Sequence, residues 1–326
     1  MLRTRFTEMF DLTYPVMSAP MALHSGGTLA AAVSAAGGLG SFGGVHPVKG
    51  PEWIESEIAI IRAATDRPFA VGFITPFLGF TPAMFEATLA GAPAAVAFSF
   101  SDPAPFAAQT RATGARVICQ VQDHEGAELA VAAGADVLVA QGTEAGGHTG
   151  TMGLLPFLAS VVARYPDVPV LAAGGIADGR SLAAVLTAGA DGAWVGTAFL
   201  ATPEATEVHD AHKRLIVESD GGDTVFTRAY DIASGLPWPA AIGERVRRNR
   251  FTDSWAEREA ELRAHPPAPP SRANPFEHPP DPATDAVLYG QGAGSVTAVR
   301  PAGEVLRNIC DEAEAILRAR PESLLD

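Results

Sequence analysis

Lysine is almost missing from this chain of 326 residues: Lys49 and Lys213 are the only two. Neither follows a strand-like segment, so Schiff-base chemistry at a strand end has no candidate. Cysteine is equally scarce. Cys119 and Cys310 lie far apart, without a Cys-x-x-Cys pair or metal-ligand spacing. They read as two reduced, buried thiols, which excludes a disulfide framework and gives no metal site. Positive charge is also short, with 23 basic against 37 acidic residues and a formal net charge of −14. Such a surface repels phosphate backbones and anionic lipid, so no nucleic acid and no membrane partner is expected. No apolar run approaches the ~18 residues of a membrane span. The opening Met1–Glu8 lacks the apolar core of a signal peptide. These absences predict a soluble, cytoplasmic protein whose partner is a small molecule, and they leave a homodimer open.

What is present is apolar: 47% of residues are hydrophobic and only 18% are charged, which suits one large core. Over the first 200 residues, short segments rich in Val, Ile, Phe and Ala alternate with longer ones at helical spacing. Eight strands are predicted: Val16–Pro20, Gly38–Gly43, Phe69–Ile74, Ala94–Phe100, Arg116–Val121, Asp136–Gln141, Val170–Gly174 and Ala193–Phe199. Between them lie amphipathic stretches such as Thr28–Ala36, Trp53–Ala64, Ala104–Thr113, His124–Ala133, Leu155–Arg164 and Arg180–Ala188. Near-continuous apolar strands mean burial on both faces, as in a parallel sheet covered by helices joined through right-handed crossovers. Alternation alone also allows an open, doubly wound sheet. Eight such units, closed by the glycine pattern described next, favour an α/β (β/α)8 barrel.

Beyond the eighth unit, Glu204–Ser219 reads as a helix. Strand signals then thin out and charge rises, including Arg245, Arg247, Arg248 and Arg250, read as a solvated helix face with an anion-attracting rim as the lesser reading. Pro266–Pro282 holds eight prolines in 17 residues, too many for a helix or central strand. Residues 216–284 are therefore expected to form a small, partly helical cap with a proline-rich return, set on a barrel built from 1–215 and 285–326. Glu304–Arg320 is expected to be a closing amphipathic helix.

In barrels of this kind the site lies at the strands' C-terminal ends, with phosphate held by the loops after the seventh and eighth strands. The seventh strand ends Ala172-Ala173-Gly174-Gly175-Ile176-Ala177-Asp178-Gly179 and the eighth ends Trp194-Val195-Gly196-Thr197-Ala198-Phe199. Glycine lets the backbone approach phosphate closely, and a following helix N-terminus adds partial positive charge. Thr197 adds a hydroxyl. The loop after the sixth strand, Gln141-Gly142-Thr143-Glu144-Ala145-Gly146-Gly147-His148-Thr149-Gly150, presents one glycine-flanked histidine above the barrel mouth. There an imidazole can accept, donate or orient a proton near neutral pH. The other histidines have no comparable setting, His24 in the first loop being the nearest.

Residues 141–150, 172–179 and 189–202, together with Tyr14-Pro15-Val16-Met17-Ser18-Ala19-Pro20-Met21, resemble the nitronate monooxygenases, formerly called 2-nitropropane dioxygenases. FMN-dependent trans-2-enoyl reductases and some NADH:quinone reductases share the scaffold. The resemblance covers most of 1–215 and resumes at Tyr289-Gly290-Gln291-Gly292-Ala293-Gly294. It implies FMN as cofactor and oxidation of an alkyl nitronate by O2 to a carbonyl compound and nitrite. An NAD(P)H-dependent FMN reductase acting on a quinone or an enoyl thioester is the alternative. Residue by residue, it implies that Ala19, Pro20 and Met21 line the flavin ring face, that Gln141 reaches the ring or ribityl chain, and that Gly146 and Gly147 pass beside it. It further implies that His148 is catalytic, that Gly174, Gly175, Gly196 and Thr197 cradle the FMN phosphate, and that Gln291 with its flanking glycines returns to cover the cofactor. Phe73 and Met21, with residues of the cap, are expected to form an apolar substrate wall. The chain departs from the pattern at Val71-Gly72-Phe73, where many members carry Val-Asn-Leu, and at Gln120, where some carry Lys. A non-redox isomerase or aldolase is the competing class, weakened by the lack of a strand-end lysine.

Overall fold

The computed structural model describes residues 2–46, 48–267 and 279–325. Eight parallel strands form one sheet: β1 (Val16–Ser18), β2 (Gly40–Gly43), β3 (Phe69–Ile74), β4 (Ala95–Ser99), β5 (Arg116–Val121), β6 (Val137–Gln141), β8 (Val170–Ala173) and β9 (Gly192–Val195). A short strand, β7 (Gly147–Thr149), intervenes in sequence and belongs elsewhere. The sheet order is β1-β9-β8-β6-β5-β4-β3-β2. It closes on itself where Met17 bridges Leu39 and the Ser41 N–H donates to Ser18 Oγ at 2.8 Å. The architecture is the expected (β/α)8 barrel.

Two apolar layers hold it. Inside, Met17, Ala19, Leu39, Ala70, Ala97, Val139, Leu171 and Trp194 fill the barrel. The helix Arg5–Phe10, capped by Thr4, drives Phe6 and Phe10 into the same cluster, which stoppers the end opposite the strands' C-termini. Outside, strand residues such as Phe42, Val71, Phe98 and Val117 meet helix residues such as Leu29, Ile54, Phe157 and Leu182. Both faces of each strand are thus buried, which is why the strands read as continuous apolar runs and not as alternating ones. The helix Ala302–Leu325, longer than the expected Glu304–Arg320, lies against the helix Gly179–Thr187. Gly179 has no room for a Cβ beside Glu312, and its N–H donates to that carboxylate at 2.9 Å.

Three expectations shift. The eighth strand stops at Val195 because a short helix, Thr197–Leu200, begins just beyond Gly196. The stretch Glu204–Ser219 is helical only over Asp210–Glu218, since Pro203 and a run of turns up to Val208 precede the His209 cap. The third lies in the segment after 219, where strand signals looked weak. It holds β10 (Thr224–Thr227) and β11 (Gly243–Arg247), and β7 completes a three-stranded antiparallel sheet in the order β10-β11-β7. Helices Ala229–Ser234, Arg250–Trp255 and Glu259–Ala264 pack on this sheet around Tyr230, Val246, Phe251 and Leu262. The arginine run is therefore not a solvated helix face. Arg245 sits buried on β11, its guanidinium donating to Thr143 O and to Thr224 Oγ1 at 3.1 Å. Arg247 pairs with Asp223 and Arg248 with Asp253. Most of the proline-rich stretch, residues 268–278, lies outside the described residues. Among the described residues, no helix is long and apolar enough to cross a membrane.

Candidate active site

The loops at the strands' C-terminal ends surround a cavity of about 180 Å³. Ala19, Pro20 and Met21 enter from the first loop, Gln141, Gly146, Gly147 and His148 from the sixth, Gly174 and Gly175 follow β8, and Gly196 and Thr197 follow β9. These predicted residues thus meet in one place. Gln291 does not. Its side chain is exposed at the start of a 3-10 turn, Gln291–Ser295, and Gly292 faces the cavity instead. Phe73 only borders the cavity. Successive strand residues point to opposite sides, so Gly72 faces inward under the Pro20 ring while Phe73 packs outward, edge-on to Phe85 at 5.6 Å. The close Pro20 ring also leaves no room for a larger residue at position 72.

The glycines after β8 form an anion cradle. Gly174 and Gly175 carry φ of +110° and +69°, a conformation that other residues rarely adopt. A chain bent in this way turns consecutive N–H groups to one side. Among the described residues, no hydrogen bond takes up the N–H of Gly175 or Ile176. Gly196 has an ordinary φ of −109°; its value lies in space, since a Cβ there would point at Met21 Sδ (3.4 Å) and Ala19 Cβ (3.5 Å). Thr197 Oγ1 accepts the Gly290 N–H at 2.9 Å, which ties the returning chain to the cradle and leaves the hydroxyl hydrogen to donate. These residues fit a phosphate-bearing cofactor.

His148 lines the same cavity, its side chain 12% exposed. It is held from three directions. Gln141 Nε2 donates to the His148 carbonyl at 3.0 Å, while Gln141 Oε1 accepts from Gln122 at 2.9 Å. Gln141 therefore spends most of its amide on shaping this loop. The Nε2 atom of His148 lies 3.1 and 3.2 Å from the two carboxylate oxygens of Asp231. The ring stacks on Trp238, centroids 3.5 Å apart and planes 12° from parallel. Trp238 in turn meets Phe77 and Phe100 edge-on at 5.1 and 5.2 Å. Phe100 carries φ +76°, a strained value for an aromatic residue, at the cavity rim. Phe100, and Trp238 from the expected cap segment, join Met21 and the bordering Phe73 in the apolar lining. Gly146 contributes by close packing, for a Cβ there would collide with the Tyr289–Gly290 backbone.

Asp231, Trp238 and Glu244 escaped the sequence reading. Glu244 is fully buried and faces His148 in the β11–β7 register. Ligand-type atoms of His148, Asp231 and Glu244 lie within 4.8 Å of one another. The one available signal was a tryptophan between Gly235 and Pro239, a bulky aromatic in a turn-forming stretch. His24, only a minor candidate, does line the cavity. Burial holds its imidazole below the usual range, and its Nδ1 meets Ala22 O at 3.0 Å. Behind it His212, edge-on at 5.6 Å, is pushed down to about 3 by burial and by His24, and donates from Nε2 to Leu288 O at 2.9 Å. This pair forms a neutral wall.

Comparison with known proteins agrees with the cavity. The family model described as "Nitronate monooxygenase" matches residues 3–78 and 84–312. A nitronate monooxygenase of Pseudomonas aeruginosa is 31% identical over 371 residues, spanning 94% of this chain and 98% of that protein. A (3aS,4S,5R,7aS)-5-hydroxy-7a-methyl-1-oxo-octahydro-1H-indene-4-carboxyl-CoA dehydrogenase of Mycobacterium tuberculosis is 34% identical over 239 residues, 72% of this chain but 65% of that protein, so the chain spans just under two thirds of its length. Among solved structures, FabK from Thermotoga maritima superposes with a TM-score of 0.83 at 28% identity, covering 99% of this chain and 100% of that one. A nitroalkane oxidase from Streptomyces ansochromogenes superposes at 0.76 with 31% identity, covering 96% and 99%. With this match along nearly its whole length, the chain belongs to the nitronate monooxygenase family of flavin-dependent oxidoreductases.

Proposed function

We propose that the protein binds FMN and oxidises alkyl nitronates with O2, giving an aldehyde or ketone and nitrite. The observation that supports this reading is that the glycine turns at Gly174, Gly175 and Gly196 and the His148 side chain line one small, mostly apolar cavity. Gly174, Gly175, Gly196 and Thr197, with Gly292, would hold the phosphate, and Ala19, Pro20, Met21, Gln141, Gly146 and Gly147 would flank the ring. FMN is preferred to FAD because the described residues offer one glycine-turn phosphate site, at Gly174, Gly175 and Gly196, and no second pocket beside it for an adenylate. When bound, the flavin supplies the acceptor for the substrate's electrons.

The residues of the chain do the rest. His148 presents a ring nitrogen that can donate to the nitro oxygens of an anionic nitronate or take the α-proton of a nitroalkane. Trp238 and Phe100 exclude water around it, which strengthens the polar contact. Residues 216–267 of the expected cap bring Asp231 and Trp238 to the barrel mouth in this reading.

The second reading, an NAD(P)H-dependent reductase of a quinone or thioester, draws on the indene-carboxyl-CoA dehydrogenase relative, whose name records a CoA thioester substrate. What reduces the flavin decides between them. Mixed anaerobically with the nitronate of nitropropane or 3-nitropropionate, the protein should lose its oxidised flavin spectrum, and aerobic turnover should release nitrite. Rapid reduction by NADH or NADPH, with electrons passed to a quinone and no nitrite from nitronates, would refute the first reading.

A further inference from the structure

His148 cannot turn freely. Its backbone carbonyl is tied to Gln141, its ring face is covered by Trp238, and its Nε2 lies within 3.2 Å of both oxygens of Asp231. Asp231 itself is 3% exposed, set in the helix Ala229–Ser234, which Tyr230 fixes by donating to Thr284 O at 2.9 Å. The second carboxylate facing this group is Glu244, delivered by β11 directly opposite His148. Phe100 adds an apolar edge at 6.3 Å.

We propose that Asp231 is a positioning residue: it fixes His148 as the Nε2–H tautomer in one ring plane, so that Nδ1 is the nitrogen presented to the substrate. An ionised carboxylate only accepts hydrogen bonds, so the imidazole nitrogen facing Asp231 must carry the hydrogen. With that edge taken and one face under Trp238, Nδ1 is the polar atom of the ring left for the cavity. Among the described residues, no hydrogen bond takes it up. The partner of one imidazole nitrogen sets the state of the other, a general property of histidine. In the neutral ring Nδ1 is then a lone pair suited to taking an α-proton; in the imidazolium it is a donor to an anion. Glu244, fully buried and paired with His148 in the strand register, closes the cluster behind the ring.

The inference rests on His148 being the residue that meets substrate, but its first test does not depend on any substrate. Long-range ¹H–¹⁵N spectra of the flavin-loaded, histidine-labelled protein, with His148→Asn used for assignment, report the tautomer directly. The wild type should show a hydrogen on Nε2 and a lone pair on Nδ1. In Asp231→Asn, whose amide can donate to Nε2, the hydrogen should move to Nδ1, while Asp231→Glu should keep the wild-type pattern. Turnover of a nitroalkane by Asp231→Asn should fall by roughly 10²–10⁴-fold, mostly in kcat and with flavin retained, as when an orienting carboxylate is lost elsewhere. A wild-type spectrum with the hydrogen on Nδ1 overturns the proposal. So does an unchanged tautomer and turnover in Asp231→Asn, or a stoichiometric divalent metal bound to His148, Asp231 and Glu244 in the purified protein. If the tautomer inverts as expected but the wild type neither oxidises nitronates nor releases nitrite, the positioning role stands and the nitronate reading falls.

Discussion

Gly196→Val separates the phosphate cradle from the stability of the barrel. The backbone at 196 has φ −109° and ψ −72°, outside the left-handed region that only glycine favours, so the substitution acts chiefly through volume. Its Cβ would make ordinary contact with Met21 Sδ at 3.4 Å and Ala19 Cβ at 3.5 Å, and the two methyl groups would stand in the cavity. Mild overpacking at a cavity wall costs ~1 kcal/mol, a fall of roughly 1–2 °C in melting temperature for a chain of this size. The cost to the cofactor is larger. Displacing a phosphate from two charge-assisted N–H contacts, each contributing about 1.5–3 kcal/mol, should weaken FMN binding by roughly 10²–10⁴-fold. Riboflavin, which has the ring but no phosphate, should bind wild type and variant within a few-fold of each other. The assay is fluorescence titration of the apoprotein with each flavin, alongside circular dichroism and a thermal scan. Equal weakening for FMN and riboflavin would mean that the residue sits beside the ring, and the assignment of the cradle would be refuted. Gly174→Val is a poorer probe. Its φ of +110° and a Cβ within 3.0 Å of Gly142 O would strain the fold whether or not phosphate binds there.

The purified protein should be yellow and release FMN, not FAD, on denaturation, as chromatography of the supernatant would show; a colourless protein that FMN cannot reconstitute would end the flavin assignment. His148→Asn should keep its flavin and lose roughly 10²–10⁴-fold in turnover of nitroalkanes, with a smaller loss on preformed nitronates, which have no α-proton left to remove; steady-state rates with both substrates check this. Acid should destabilise the fold through His212. Its imidazole is buried, and its folded value of about 3 lies below the unfolded 6.5, so the unfolded chain binds the extra proton and stability is lost as pH falls below 6.5. That amounts to about 2 kcal/mol by pH 5, and urea melts across pH 4–7 should show a flatter acid limb in His212→Gln.

The barrel was legible because its information is local and repeated: continuous apolar strands, amphipathic helices and a glycine at each helix end. That Gly174, Gly175, Gly196 and Thr197 meet at one cavity was legible for a similar reason, since glycine turns at strand ends are written as short motifs. His148 stood out by its glycine neighbours. Its partners did not. Asp231 lies 83 residues away in an unremarkable helix, and only the β11–β7 pairing brings that segment to the loop. β11 itself reads Gly-Glu-Arg-Val-Arg, charged enough to pass for a solvated surface. Its Glu244 and Arg245 are buried, because one faces the site and the other is held by Thr143. Side-chain direction misled the reading at Phe73, where a single step along the strand separates the inner face from the outer. At Gln291 the glycines on either side, not the glutamine, carried the meaning.

The three-stranded sheet that includes β7 also limits how substrate can enter. Because the strand bearing His148 is hydrogen-bonded to β11, swinging the whole outer segment away would break that ladder, pull Asp231 from the imidazole and dismantle the site it was meant to open. The stretch from Gly235 to Ala241 has no strand ladder: its ties are few, chiefly the Leu236 N–H to Asp231 O at 3.0 Å and Arg228 to Ala240 O at 2.6 Å; much of it is exposed, it joins the helix Ala229–Ser234 to β11, and it bears Trp238. Local opening is cheapest where the fewest backbone hydrogen bonds must be surrendered. Traffic through the mouth is thereby confined to one aromatic side chain on a short loop, while the histidine and its carboxylate stay behind as a fixed wall.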